Sequence, residues 1–204
     1  MLPNSAPISI RVSNSDILFV THARNVGITI SSNTTMDKHA TNICRSAYAE
    51  LRPIGSIRHL LTVNATKTLL SAFVLSKLDY CNSLLCGSPQ FILDKLQRGQ
   101  NSAARLIMES RKCDHVQPLL RNLHWLPVRS RIDYKISTLC FNTFTNSSPV
   151  YIAQLLSVYI RSRHLRSSSD TRTLRIPFVI TTSFGQRAFS FTGPAQWNLL
   201  PYEV

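Results

Sequence analysis

A chain of 204 residues with 44% hydrophobic side chains is too apolar for a disordered segment, and at this length roughly 70% of the unfolded surface can be buried. Lys and Arg number 23 against 10 Asp and Glu, giving a net charge of +13 and a pI near 10.2. That balance weighs against cationic partners and points to a polyanion, of which nucleic acid is the commonest inside cells; a basic surface that only aids solubility is the competing reading.

Elements follow in chain order. Ile8-Ser9-Ile10-Arg11-Val12 alternates apolar and polar, Ile17-Leu18-Phe19-Val20 is a short apolar run, and Asn25-Val26-Gly27-Ile28-Thr29-Ile30 is β-branched around one glycine. All three predict strands, with Gly27 allowing a close backbone approach. Ser31 to Thr35 is a turn and a supply of helix caps. From Met36 the period becomes helical: Ile43, Ala47, Leu51 and Ile54 share one face, and Pro53 is expected to end or kink that helix near Arg52. A second helix is expected over 64–85, capped by Asn64, with Leu69, Phe73, Leu75, Leu78 and Leu85 as its apolar surface. A third is expected over 91–109, with Ile92, Leu96, Ala103, Leu106 and Ile107 facing the core. A helical turn follows over 114–123. Pro127 opens a fourth long helix to about residue 144, and Pro149 a shorter one ending near Tyr159.

The character then changes. Residues 160–175 are rich in arginine and serine and read as an exposed basic linker. Residues 173–180 and 187–191 read as short strands, and Trp197 to Pro201 as a compact apolar knot. The expected fold is mainly α (α+β): short strands at the start, a bundle of four to five helices, and a small strand-containing appendage. The corresponding divisions are 1–35, 36–159, 160–175 and 176–204.

The cysteines are Cys44, Cys81, Cys86, Cys113 and Cys140. An odd count on apolar faces suits reduced, inert thiols in the cytosol or nucleus. The amino-terminal residues carry no charged-then-apolar secretory pattern, and no apolar run is long enough to span a bilayer, so no membrane partner is expected. Cys81 and Cys86 stand too far apart for a close zinc pair, and Cys113-Asp114-His115 lacks a second pair, so no zinc site is expected.

Several stretches resemble the region after the polymerase core in non-LTR (LINE-type, jockey-like) retrotransposon reverse transcriptases. They are Arg24-Asn25-Val26-Gly27-Ile28 with Met36-Asp37-Lys38-His39, then Ala72-Phe73-Val74-Leu75-Ser76-Lys77-Leu78-Asp79-Tyr80-Cys81-Asn82-Ser83-Leu84-Leu85. Lys95-Leu96-Gln97 with Gln100-Asn101-Ser102-Ala103-Ala104-Arg105-Leu106 comes next, followed by Leu123-His124-Trp125-Leu126-Pro127-Val128-Arg129-Ser130-Arg131-Ile132-Asp133-Tyr134-Lys135. The last is Phe184-Gly185-Gln186-Arg187-Ala188-Phe189 leading into Trp197-Asn198-Leu199-Leu200-Pro201. They stand in the family's order from about residue 17 to 201. Two departures are Val26, where the family usually has Leu, and Ile30-Ser31, in place of an aromatic-Asp pair.

The resemblance implies a palm remnant, then a thumb and tail. The family's two Mg²⁺ ions are held by clustered palm carboxylates, because only oxygen anions hold such a pair. This sequence has no Asp-Asp pair; its acids stand singly. The resemblance therefore implies no catalysis by this chain alone, no metal or other cofactor within it, and an upstream palm as its protein partner. The nucleic-acid partner would be an RNA or DNA template–primer duplex.

Candidate contacts are Arg105, Arg111 and Lys112, then Arg129, Arg131 and Lys135, then Arg161, Arg163 and Arg166. On a helix Arg131 and Lys135 are one turn apart and can face one phosphate backbone, although a solvated face reads the same way. Losing Arg129, Arg131 or Lys135 is expected to weaken binding uniformly and flatten its salt dependence. Convergence of Arg105, Arg111, Arg129, Arg131 and Lys135 on one groove would favour binding. Dispersal would favour a structural or protein-interaction module, and a degenerate transposon relic is the third reading. Trp125 and Trp197 read as core plugs rather than stacking platforms, and the polar residues of 79–83 as hydrogen bonds pinning neighbouring helices.

Overall fold

A computed structural model describes residues 9–145, 147–159, 173–181 and 185–201. The molecule is mainly α, with short amino-terminal strands. Four strands form two separate hairpins: β1 (Ser9–Val12) with β2 (Ser15–Leu18), and β3 (His22–Asn25) with β4 (Ile28–Ser31). The expected strand over 25–30 is in fact a turn with strand on either side. Val26 and Gly27 both have positive φ, 46° and 79°, so the chain reverses there and Asn25 pairs with Ile28. Two consecutive positive-φ residues give a twist that matches the flanking strands. Gly27 supplies it freely, whereas a β-branched Val26 does so under strain. The second hairpin is anchored: Ile28 and Ser31 are buried, and Asn42 donates to Thr29 Oγ1 at 3.2 Å. Every residue of the first hairpin is exposed.

The helix α1 (Asp37–Ser56) buries Ala40, Ile43, Ala47, Leu51 and Ile54, the face expected from the period. Pro53 does not end it. One more turn follows, because Ile54 is needed in the core and Ser56 Oγ bonds back to the Pro53 carbonyl. None of the candidate caps serves α1: Met36 stands at its start without a capping side chain, while Asn33 Oδ1 accepts from Thr35.

The second expected helix is broken. It comprises α2 (Val63–Leu70), a π turn (Ser71–Leu75) and α3 (Ser76–Asp79), and then a separate 3-10 turn (Asn82–Leu85). Cys81 adopts a left-handed φ of 52°, which ends α3. Thr62, not Asn64, caps α2, accepting from the Ala65 N–H at 3.2 Å. Phe73, expected to be apolar core surface, is exposed.

The long helix α4 (Gln90–Met108) crosses α1 and forms the other half of the core. Ile92, Leu96, Ala103 and Ile107 are buried as expected; Leu106 is half-buried. Below it lie α5 (Val116–Asn122) and α6 (Val128–Phe144), with Pro127 just before α6. Trp125 is buried in this core. The helix opened by Pro149, α7, covers only Val150–Ala153 and stops well short of Tyr159, because Val158 bridges to Leu174 instead. Leu174 is buried and held by both amide atoms of Asn198, so the described end of the expected linker is anchored at that residue, while Arg175 beside it is exposed. The predicted strand at 187–191 is mostly helix: α8 (Phe189–Trp197) packs on α6, with Phe144 and Trp197 rings 5.0 Å apart. Cys113 lies exposed in a loop rather than on an apolar face.

Candidate nucleic-acid interface

Arg98, Ser102 and Arg105 fall on one stripe of α4, four and three residues apart. The helix ends at Glu109, whose left-handed φ of 50° lets Ser110 N–H return to the Arg105 carbonyl at 3.1 Å. The loop beyond is closed by Asp114, whose carboxylate accepts the Arg111 N–H at 2.7 Å. Arg105 Nη2 donates to the Asp114 carbonyl at 3.2 Å. This return brings Lys112 beside Arg98 and Arg105 around a groove of about 550 Å³. Tyr48 of α1 forms the facing wall, its hydroxyl 3.3 Å from Ser102 Oγ.

The floor of the groove is built by Arg58, a residue the sequence analysis did not single out. It is buried, and its guanidinium donates to the carbonyls of Leu106 (3.0 Å), Ile107 (2.9 Å) and Leu61 (2.8 Å). Two of these are orphan carbonyls at the negative end of α4, so the cation satisfies both the bonds and the helix dipole. Arg58 also pairs with Glu109 at 2.8 Å, which occupies the only carboxylate lining the groove. Among the described residues Arg98, Arg105 and Lys112 enter no ion pair. Guanidinium forks, an ammonium and an aromatic ring thus line one concavity, a donor set suited to phosphate oxygens.

The second candidate cluster does not join this groove. Arg131 donates to Asp79 Oδ2 at 2.6 Å and to the Leu126 carbonyl at 2.8 Å, tying the start of α6 to the end of α3. Arg129 reaches Gln90 Oε1 at 3.3 Å and borders a separate cavity of about 200 Å³ with Cys86 and Asp133. Burial raises the pKa of the Asp133 carboxyl, against the pull of Arg129. Burial likewise raises that of the Cys86 thiol. Lys135 is exposed further along α6. Arg111 is exposed in the Asp114 loop. Arg161, Arg163 and Arg166 lie outside the described residues.

Comparison of the chain with family models, curated proteins and solved structures finds no match. Two glutamines within the stretches that carry the resemblance have structural work: Gln97 Oε1 accepts the Val128 N–H at 2.8 Å, and buried Gln100 donates to the Leu126 carbonyl at 2.8 Å. Of the polar residues over 79–83, Asp79 holds Arg131 and Tyr80 donates to the Val26 carbonyl at 2.9 Å, fixing the second hairpin. Among the described residues no three of His, Cys, Asp and Glu gather at metal-holding distance. Asp37, Glu50, Asp79 and Glu109 each face a cation instead. Among the described residues these four acids are thus committed to cations. No helix among the described residues is long and apolar enough to cross a membrane.

Proposed function

We propose that this chain is a non-catalytic, nucleic-acid-binding segment of a retrotransposon-type RNA-directed DNA polymerase, working in the cytosol or nucleus, whose α1–α4 groove grips the phosphates of a template–primer duplex. The observation that carries the reading is the groove itself: Arg98, Arg105 and Lys112 share one concavity in which the sole lining carboxylate is already paired. The overall charge of +13 and the ordered stretches over residues 17–201 support it. Phosphate contacts of this kind position a duplex without reading its sequence. The metal-holding acids, on this reading, belong to an upstream palm.

The test is binding of the purified chain to an RNA–DNA hybrid duplex across a salt series. Each phosphate neutralised adds about 0.9 to the slope of log affinity against log salt. Arg98→Gln, Arg105→Gln and Lys112→Gln together are expected to lower that slope by about 2.7 if each holds one phosphate. An unchanged slope in the triple variant overturns the assignment.

The first hairpin favours a second role, as an interaction module. Ile10, Ile17, Phe19 and Val20 are 54%, 55%, 62% and 60% exposed, an apolar surface a two-stranded hairpin cannot cover by itself. Ile17→Lys with Phe19→Lys is expected to raise solubility and leave the salt slope intact. Loss of duplex binding in that variant removes this division of labour.

A further inference from the structure

The stretch Gly185-Gln186-Arg187-Ala188-Phe189 takes no part in the nucleic-acid groove, yet it closes one side of a cavity of about 420 Å³. This cavity shares no lining residue with the α1–α4 groove. Its walls are Ile136 and Leu139 of α6, Ile152 of α7, Leu155 just beyond it, Phe189 of α8 and Leu84 of the 3-10 turn. Ile136 is 1% exposed, whereas Leu84 and Leu155 are 43% and 50% exposed, so apolar lining runs unbroken from core to surface. Apolar walls left facing open space in this way mark a place where an apolar group binds.

Arg187, in the turn Gly185–Arg187 before α8, is the sole charged residue among the described lining. Its stem lies over Gly87, where an added Cβ would come 2.7 Å from Arg187 Cγ, and its Nη1 donates to the Thr34 carbonyl at 3.1 Å. The half-buried side chain is therefore held at both ends. The Thr34 bond uses one of the five guanidinium donors, and Arg187 enters no ion pair among the described residues. Its counter-charge has to arrive with the ligand. A carboxylate accepts two parallel guanidinium hydrogen bonds, and an alkyl chain matches the leucine and isoleucine walls. A nucleotide would set ribose hydroxyls, and a peptide its backbone amides, against those walls, where only the hydroxyls of Thr34, Ser83 and Thr192 could meet them. A cationic ligand would be repelled by Arg187.

We propose that this cavity binds a medium-chain carboxylate, with the alkyl chain among Ile136, Leu139, Ile152 and Phe189 and the head group on Arg187. Small-molecule pockets run from roughly 300 to 1,000 Å³, and a volume near the lower end suits a medium chain rather than a long one. The guanidinium, already placed by Gly87 and Thr34, needs little reordering to receive the head group.

The test follows side-chain methyl signals by NMR on the full chain, titrated separately with decanoate, decanol, decylammonium and acetate. Decanoate is expected to shift the Ile136, Leu139 and Ile152 methyls saturably. Decanol is expected to do so about tenfold more weakly, because it lacks the charged partner for Arg187, and decylammonium and acetate not at all. Arg187→Gln is expected to weaken decanoate binding about tenfold and to leave decanol binding unchanged, so that the two ligands become equivalent. Decanol thus serves as the internal check that the variant keeps its fold and its apolar walls. Arg187→Lys, which keeps the charge and loses the fork, is expected to fall between wild type and Arg187→Gln. The Arg98→Gln, Arg105→Gln, Lys112→Gln variant is expected to bind decanoate normally, which separates this cavity from the groove. Equal affinity for decanoate and decanol in the wild type overturns the proposal. So do decanoate shifts confined to Ile10 and Ile17 of the exposed hairpin, and absence of any decanoate response.

Discussion

The groove between α1 and α4 and the entry to α6 carry the same residue type in opposite circumstances. At the groove Arg98 and Arg105 hold only backbone carbonyls (Asp94 and Asp114) and stand free of carboxylates, because Glu109 is taken by Arg58. At the α6 entry Arg131 is spent on Asp79, with only 18% of its side chain exposed. A guanidinium already desolvated and paired has little left for a phosphate. Net charge per segment therefore says less about binding than the fate of each acid does.

The largest expected effect breaks that comparison at its paired side. Asp79→Asn leaves the Arg131 cation half-buried beside a neutral amide. A fully buried broken pair costs more, but Asp79 is 40% exposed, so the loss expected is about 1–3 kcal/mol in urea unfolding. The slope of duplex binding against salt is expected to stay the same. A lowered slope with unchanged stability would transfer Arg131 to the binding surface. Next in size come the groove substitutions. Arg98→Gln and Arg105→Gln are expected to leave stability within about 0.5 kcal/mol while flattening the salt dependence, the reverse signature.

This contrast also shows where sequence reasoning reaches its limit. The core faces of α1 and α4 were legible because Ile43, Ala47, Leu51 and Ile54, or Ile92, Leu96, Ala103 and Ile107, repeat at a helical period that only burial explains. The break after α3 was not, since a left-handed Cys81 replaces the glycine that ordinarily marks such a stop. Phe189 and Phe191 alternate like a strand, yet they begin α8, where Gly193 lets the helix approach Cys140 of α6 closely. Arg105 and Lys112 were named from charge density. Arg58 could not be, because two of the three carbonyls it satisfies lie 48 and 49 residues further along the chain. Local pattern reports which side chains are apolar; it does not report which acid or carbonyl a distant arginine will meet.

His39 extends the comparison to a buried group with no charge to spend. Burial holds its folded-state pKa below 6.5. On acidification the unfolded chain takes up this proton before the folded one does. Stability is therefore complete above pH 6.5 and falls as the pH drops toward the folded-state value. His39→Leu is expected to flatten that part of the profile, read from urea midpoints between about pH 7.5 and 5. An unaltered profile in the variant would assign the acid sensitivity elsewhere.

The smallest effect is a footprint, and it reports on the groove without altering any charge. Cys113 is exposed in the loop that carries Lys112, whereas Cys140 is fully buried in α6 with its thiol pushed up to about 12. Cys140 should therefore react only on unfolding, while exposed Cys113 is open to alkylation in the native protein. A duplex seated against Arg98, Arg105 and Lys112 would cover the Cys113 loop and slow its alkylation several-fold. Cys81, beside the Asp79–Arg131 pair, would keep its own rate because nothing is seated there. Peptide mass spectrometry of the labelled chain resolves the two sites. Equal protection of both would mean that the duplex covers the α6 entry too, and would erase the distinction between free and paired arginines on which the proposed interface rests.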